Sequence, residues 1–106
     1  MTDVSTEYQQ VADLSDVPAG KMLRVVVNDK GILIANVHGK LYAVDDLCTH
    51  EDASLVTGCL QGSLVKCPLH GSRFDLDTGE PLDEPADEAL QTYPIKTEQN
   101  TIFVAA

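Results

Sequence analysis

"CTHEDASLVTGCLQGSLVKCPLHGSRFD", Cys48 to Asp75, decides how the rest of the chain is read. It carries all three cysteines and two of the three histidines of a 106-residue sequence. Four of these residues fall in two short elements, Cys48-Thr49-His50 and Cys67-Pro68-Leu69-His70, with sixteen residues between His50 and Cys67. Each element puts one sulfur and one imidazole on a tight loop. Two such loops facing each other make a Cys2His2 site. Gly71 and Ser72 follow the second element directly, so the backbone there can turn closely around a bound group.

Outward from this stretch the pattern changes to short apolar runs separated by turn residues. "MLRVVVN" (22–28) meets a turn at Asn28–Gly31, "ILIANV" (32–37) meets "HGK", and "LYAV" (41–44) follows. Beyond the cysteine region, "LQTYPIK" (90–96) and "TIFVAA" (101–106) are separated by "TEQN". These are strands at hairpin spacing. "YQQVADL" (8–14) adds an edge strand, and "SDVPAGK" (15–21) is a loop broken by Pro18 and Gly20. No segment sustains a 3.6-residue period, so no long helix is expected. The fold expected is all-β, a small antiparallel sandwich or barrel formed by one domain over residues 1–106. Its base covers about 1–45 and 85–106. The cysteine region, about 46–84, is an insertion with its own strands at "SLVKC" (63–67) and "RFDL" (73–76) and a turn at "DTGEP" (77–81). Insertions of this kind are where function is placed.

Composition sets further bounds. About two-fifths of the residues are apolar, and no run approaches the ~18 needed to span a membrane. The start, "MTDVSTEYQQ", has neither a basic n-region nor an apolar block, so a cytoplasmic location is expected. Seventeen acidic against seven basic residues give a formal net charge of −10. That surface repels nucleic-acid phosphates and anionic lipid and attracts a partner with a basic patch. The odd cysteine count argues against a disulfide scaffold and for a metal site.

Two metals suit the ligand set. Zinc accepts two Cys and two His, although its common fingers pair Cys with Cys and His with His along the chain. Here each element supplies one of each, which suits a two-iron cluster with both thiolates on one iron and both imidazoles on the other. The boxes "CTH" and "CPLHGS" resemble the two boxes of Rieske [2Fe–2S] proteins, and the likeness covers nearly the whole chain. In size and detail it is most similar to the ferredoxins of bacterial aromatic-ring-hydroxylating dioxygenase systems. The resemblance implies that Cys48 and Cys67 hold the inner iron and that His50 and His70 hold the outer one.

Departures from the family pattern are as informative. Respiratory-chain members carry an extra Cys in each box, joined as a disulfide; near Ala53 and at Leu69 this chain has none. Ser72 matches a Ser that bonds a cluster sulfur, but Phe74 stands where those proteins have a Tyr and has no hydroxyl. Glu51 follows the first His where the ferredoxins often have Gly. By resemblance, Pro85 in "LDEPADEAL" (82–90) belongs to a loop that shields the cluster. Cys59 lies outside both boxes and is read as a small apolar packing residue, and His38 as an exposed hairpin residue.

An oxygen-activating mononuclear iron needs two His and a carboxylate, and only His38 remains once His50 and His70 are spent. No Gly-rich dinucleotide fingerprint occurs. The expected function is that of a one-electron carrier with no catalytic residues and no small-molecule substrate of its own. It would take electrons from a flavin-containing NAD(P)H reductase and pass them to a terminal oxygenase. The alternatives are a small Rieske subunit of another redox enzyme, of the nitrite-reductase type, and a zinc-binding interaction module.

Overall fold

The computed structural model describes residues 8–48, 53–68, 71–84 and 88–105. Its strands are β1 (Tyr8–Asp13), β2 (Met22–Val27), β3 (Lys30–Val37), β4 (Lys40–Asp45), β5 (Cys59–Gln61), β6 (Leu64–Lys66), β7 (Arg73–Asp75), β8 (Ile95–Glu98) and β9 (Thr101–Ala105). Helical structure among the described residues is confined to two single 3-10 turns, Leu14–Asp16 and Leu55–Thr57. The strands form three antiparallel sheets, in the orders β1-β9-β8, β2-β3-β4 and β5-β6-β7.

Three hairpins turn on two residues each: Asn28-Asp29, His38-Gly39 and Gln99-Asn100. All six residues have positive φ, between 51° and 94°. That is the type I′ geometry, whose twist matches that of paired strands. The expected turn at Asn28–Gly31 is therefore shorter, and Lys30 and Gly31 already belong to β3. His38 is exposed at its turn, as expected.

Strand β3 explains how the layers are held. Ile32, Leu33, Ile34 and Ala35 are all fully buried. Successive side chains of a strand point to opposite faces. Ile32 and Ile34 join Val17, Val27, Ala43, Ile102 and Val104 in one core, on the side of β1-β9-β8. Leu33 and Ala35 join Val44, Leu55, Val65, Phe74 and Leu76 in the other, on the side of β5-β6-β7. The middle sheet is thus covered on both faces, which is why "ILIAN" reads as a continuous apolar run rather than an alternation. Its β4 edge also continues into the segment before β8, where Asp45 N–H donates to Gln91 O at 2.9 Å and Tyr93 N–H to Ala43 O at 2.8 Å.

Two expectations are corrected. "LQTYPIK" is not one strand: Thr92 makes a single bridge to Val44, and the regular strand begins only at Ile95. Pro94 has no N–H to continue the ladder. Thr97 and Glu98, read as turn, are strand. In the cysteine region β6 and β7 lie where expected, while β5 was not anticipated.

Candidate metal centre

The loops that begin at Cys48 and Cys67 are closed by the same bond. Cys48 N–H donates to Ala53 O at 2.9 Å, and Cys67 N–H donates to Ser72 O at 2.8 Å. In each loop a cysteine amide therefore reaches the carbonyl five residues on. The second loop is tightened further by Gly71 N–H to Cys67 O at 3.1 Å. Gly71 has φ of 76°, a left-handed conformation that a β-carbon disfavours.

Cys48 and Cys67 are 5% and 2% exposed and sit in one apolar core with Ala53, Leu55, Val65 and Phe74. No disulfide joins any of the three cysteines. Two thiols brought into one buried cluster, each opening a loop closed by its own amide, fit the sulfur half of a Cys2His2 donor set. His50 and His70 lie outside the described residues, as do Glu51, Leu69 and Pro85. Phe74 is fully buried in the same core, and Ser72 is 1% exposed.

Cys59 corrects the sequence reading. It lies exposed on β5, paired across the sheet with Lys66, and is not a packing residue. With Lys66, Cys67, Pro68 and Gly71 it lines an open surface cleft beside the second loop.

Carboxylates that the sequence reading passed over hold the loops in place. Asp45 and Asp46 immediately precede the first loop and serve different segments. The Asp45 side chain accepts from Gln91 N–H at 3.2 Å and from the Tyr93 hydroxyl at 2.6 Å. Burial, and then the neighbouring Asp45 carboxylate, hold the Tyr93 hydroxyl well above the ordinary phenol range. Asp46 is fully buried and accepts from Arg24 Nε at 3.1 Å, Val56 N–H at 3.0 Å and the Ser54 hydroxyl. Beside the second loop, Arg73 makes a two-pronged pair with Asp83, at 2.6 and 3.1 Å, and its own N–H adds a third bond at 3.1 Å. Hydrogen bonding from Arg73 lowers the Asp83 carboxyl below the usual carboxylate range. The only local signal for these roles was the doublet Asp45-Asp46 next to a ligand box. Arg24 is 22 residues from Asp46, and Asp83 is 10 from Arg73, so neither pairing shows as a local pattern.

The family profile described as "Rieske [2Fe-2S] domain" matches residues 7–94. The ferredoxin component of the naphthalene 1,2-dioxygenase/salicylate 5-hydroxylase systems of Ralstonia sp. is 42% identical over 101 residues, covering 95% of this chain and 97% of that one. The solved ferredoxin of carbazole 1,9a-dioxygenase from Nocardioides aromaticivorans IC177 superposes with a TM-score of 0.89 at 30% identity, covering 95% and 98%. A chain from the complex of reduced oxygenase and oxidized ferredoxin in carbazole 1,9a-dioxygenase superposes with a TM-score of 0.86 at 31% identity, covering 95% and 94%.

Proposed function

The chain belongs to the Rieske [2Fe-2S] domain family, and on that premise we propose that it is the ferredoxin of a ring-hydroxylating dioxygenase system. Electrons reach it from a flavin-containing NAD(P)H reductase and leave it for a terminal oxygenase. The observation that carries this reading is the convergence of Cys48 and Cys67, on two identically closed loops, in one buried core. Cys48 and Cys67 would hold one iron of the cluster, and His50 and His70 the other. When bound, the [2Fe-2S] cluster supplies one-electron chemistry.

The chain's own part is to hold the donors and to exclude water from the sulfur side. Phe74, Leu55 and Val65 pack around the two cysteines and keep that side dry. The backbone bonds at Ala53 and Ser72 fix where each loop begins and ends. Residues 46–84 form the cluster-binding subdomain, and 1–45 with 85–106 form the base on which it stands. This division is supported by β5, β6 and β7 making a sheet of their own within the former span. No catalytic residue is assigned, because a mononuclear iron site would need two further histidines and only His38 is left. No helix among the described residues is long and apolar enough to cross a membrane. A cytoplasmic location belongs to the same proposal.

Reconstitution tests the proposal. NADH, a flavin reductase and a ring-hydroxylating oxygenase are combined with and without this protein. Product should form at an appreciable rate only when it is present, and the purified protein should show the visible and electron paramagnetic resonance (EPR) spectra of a Rieske centre. A colourless, zinc-loaded protein that leaves turnover unchanged would overturn the reading.

A further inference from the structure

The two ligand loops are closed alike but supported differently. The second rises from a true hairpin, in which Lys66 pairs with Arg73 and Val65 with Phe74. The first follows β4, but among the described residues its two flanks are paired with each other only by a single bridge between Leu47 and Ser54. One residue takes the place of the missing hairpin. Asp46 N–H donates to Gly31 O at 3.0 Å, and Asp46 O accepts from Leu55 N–H at 2.6 Å. Its carboxylate accepts from Arg24 on β2 and from Ser54 and Val56 on the far side of the loop. The residue is fully buried, and each donor comes from a different position of the surrounding chain.

We propose that Asp46 is the positioning residue of the first ligand loop. By tying both ends of the loop to β2 and β3, it sets how Cys48 is presented to the cluster. This rests on the assignment of Cys48 and His50 as ligands. The chemistry demands a carboxylate. All three side-chain partners approach with a donor, so both oxygens must accept. An asparagine amide turned one way sets its N–H2 against Val56 N–H; turned the other way, it faces Arg24 Nε. Either sets the buried amide N–H2 against another donor, and the loop must shift to relieve it. Groups that orient metal ligands from behind tune the metal they hold.

The test is the iron-loaded Asp46→Asn protein. It should still bind the cluster, but with a shifted midpoint potential and altered g-values in the reduced EPR spectrum. Cluster loss to an iron chelator should be about tenfold faster or more. Ile102→Val, fully buried in the opposite core, serves as a stability control and should change none of these. Should Asp46→Asn fail to fold, Ser54→Ala and Arg24→Gln each remove one donor and should give smaller shifts of the same kind. Unchanged spectra and chelation rates in iron-loaded variants would overturn the positioning role, as would equal changes in Ile102→Val. Wild-type protein that purifies without iron would instead overturn the ligand assignment on which the role depends.

Discussion

At the scale of single residues, the three cysteines separate into two kinds. Cys48 and Cys67 are buried together and each opens a closed loop, whereas Cys59 stands exposed on a strand. Replacing Cys48 or Cys67 by Ser should remove the visible chromophore and most of the iron, because a lost thiolate leaves an iron incompletely held. Cys59→Ser should keep both. Metal analysis and absorption spectra decide this, and bleaching by Cys59→Ser alone would reverse the assignment. The glycines divide as sharply. At Gly79, with φ of 81°, a β-carbon would lie 2.1 Å from Leu90 O, and Leu90 N–H donates to Gly79 O at 2.7 Å. Ala at this position must part the two segments as well as bear left-handed strain, a cost of about 2–4 kcal/mol. Gly62 also has positive φ but nothing within 4 Å, so Gly62→Ala should cost only about 1–2 kcal/mol. Denaturant titration of the two variants should show this gap, and equal losses would refute the close approach as its cause.

At the scale of elements, the strap between Arg73 on β7 and Asp83 fastens the start of the 82–90 segment beside the second ligand loop. Leu82 N–H to Arg73 O at 2.8 Å and the bridge from Phe74 to Pro81 reinforce it. The Asp83 carboxyl is lowered on folding, chiefly by hydrogen bonding from Arg73. Its contribution to stability is therefore complete above the ordinary carboxylate value and is lost as pH falls through the lower folded value. Asp83→Asn should be less stable than the wild type at neutral pH, and the gap should close as the solution is acidified below the usual carboxylate range. A gap constant across that range would mean that the ionised pair contributes nothing. Being part-exposed, the pair should also weaken in high salt. The strap marks where sequence legibility ended. Strands β2, β3, β4 and β9 could be read from runs such as "ILIAN", because burial on one or both faces leaves a local trace. The two cysteine elements could be singled out because each sets a sulfur and an imidazole within three residues of each other. Asp46 with Arg24, Arg73 with Asp83 and Asp45 with Tyr93 could not, since each pairing exists only once separate strands are brought together. The 90–94 segment misled for a related reason: it holds the β-formers Thr92 and Tyr93, but its partner on β4 gives it only one regular bridge.

At the scale of the whole molecule, charge is the property that no single loop explains. Seventeen acidic residues face seven basic ones, and Asp75, Asp77, Glu80, Asp83, Glu84, Asp87 and Glu88 fall within fourteen positions that hold no basic residue. Basic charge is further spent within the fold: Arg24, Lys40, Arg73 and Lys96 lie in ion pairs with Asp46, Asp77, Asp83 and Glu98. The chain therefore carries its negative charge most densely in the segment that follows the second cysteine element. An electron carrier must meet its partner often and leave it quickly, and a long-range field raises the encounter rate without requiring a tight complex. Such a field is screened within about 10 Å at 0.1 M salt and about 3 Å at 1 M. Electron transfer to a basic docking surface, followed by stopped flow, should accordingly slow by about tenfold or more between low and high ionic strength. The exposed Glu80 and Glu84 offer a local handle. Glu80→Gln with Glu84→Gln should lower the rate at low salt, flatten its salt dependence, and leave the high-salt rate near that of the wild type. A rate independent of salt would remove charge from the encounter and leave exposed apolar residues beside the loops, Leu47 and Leu82, to direct it.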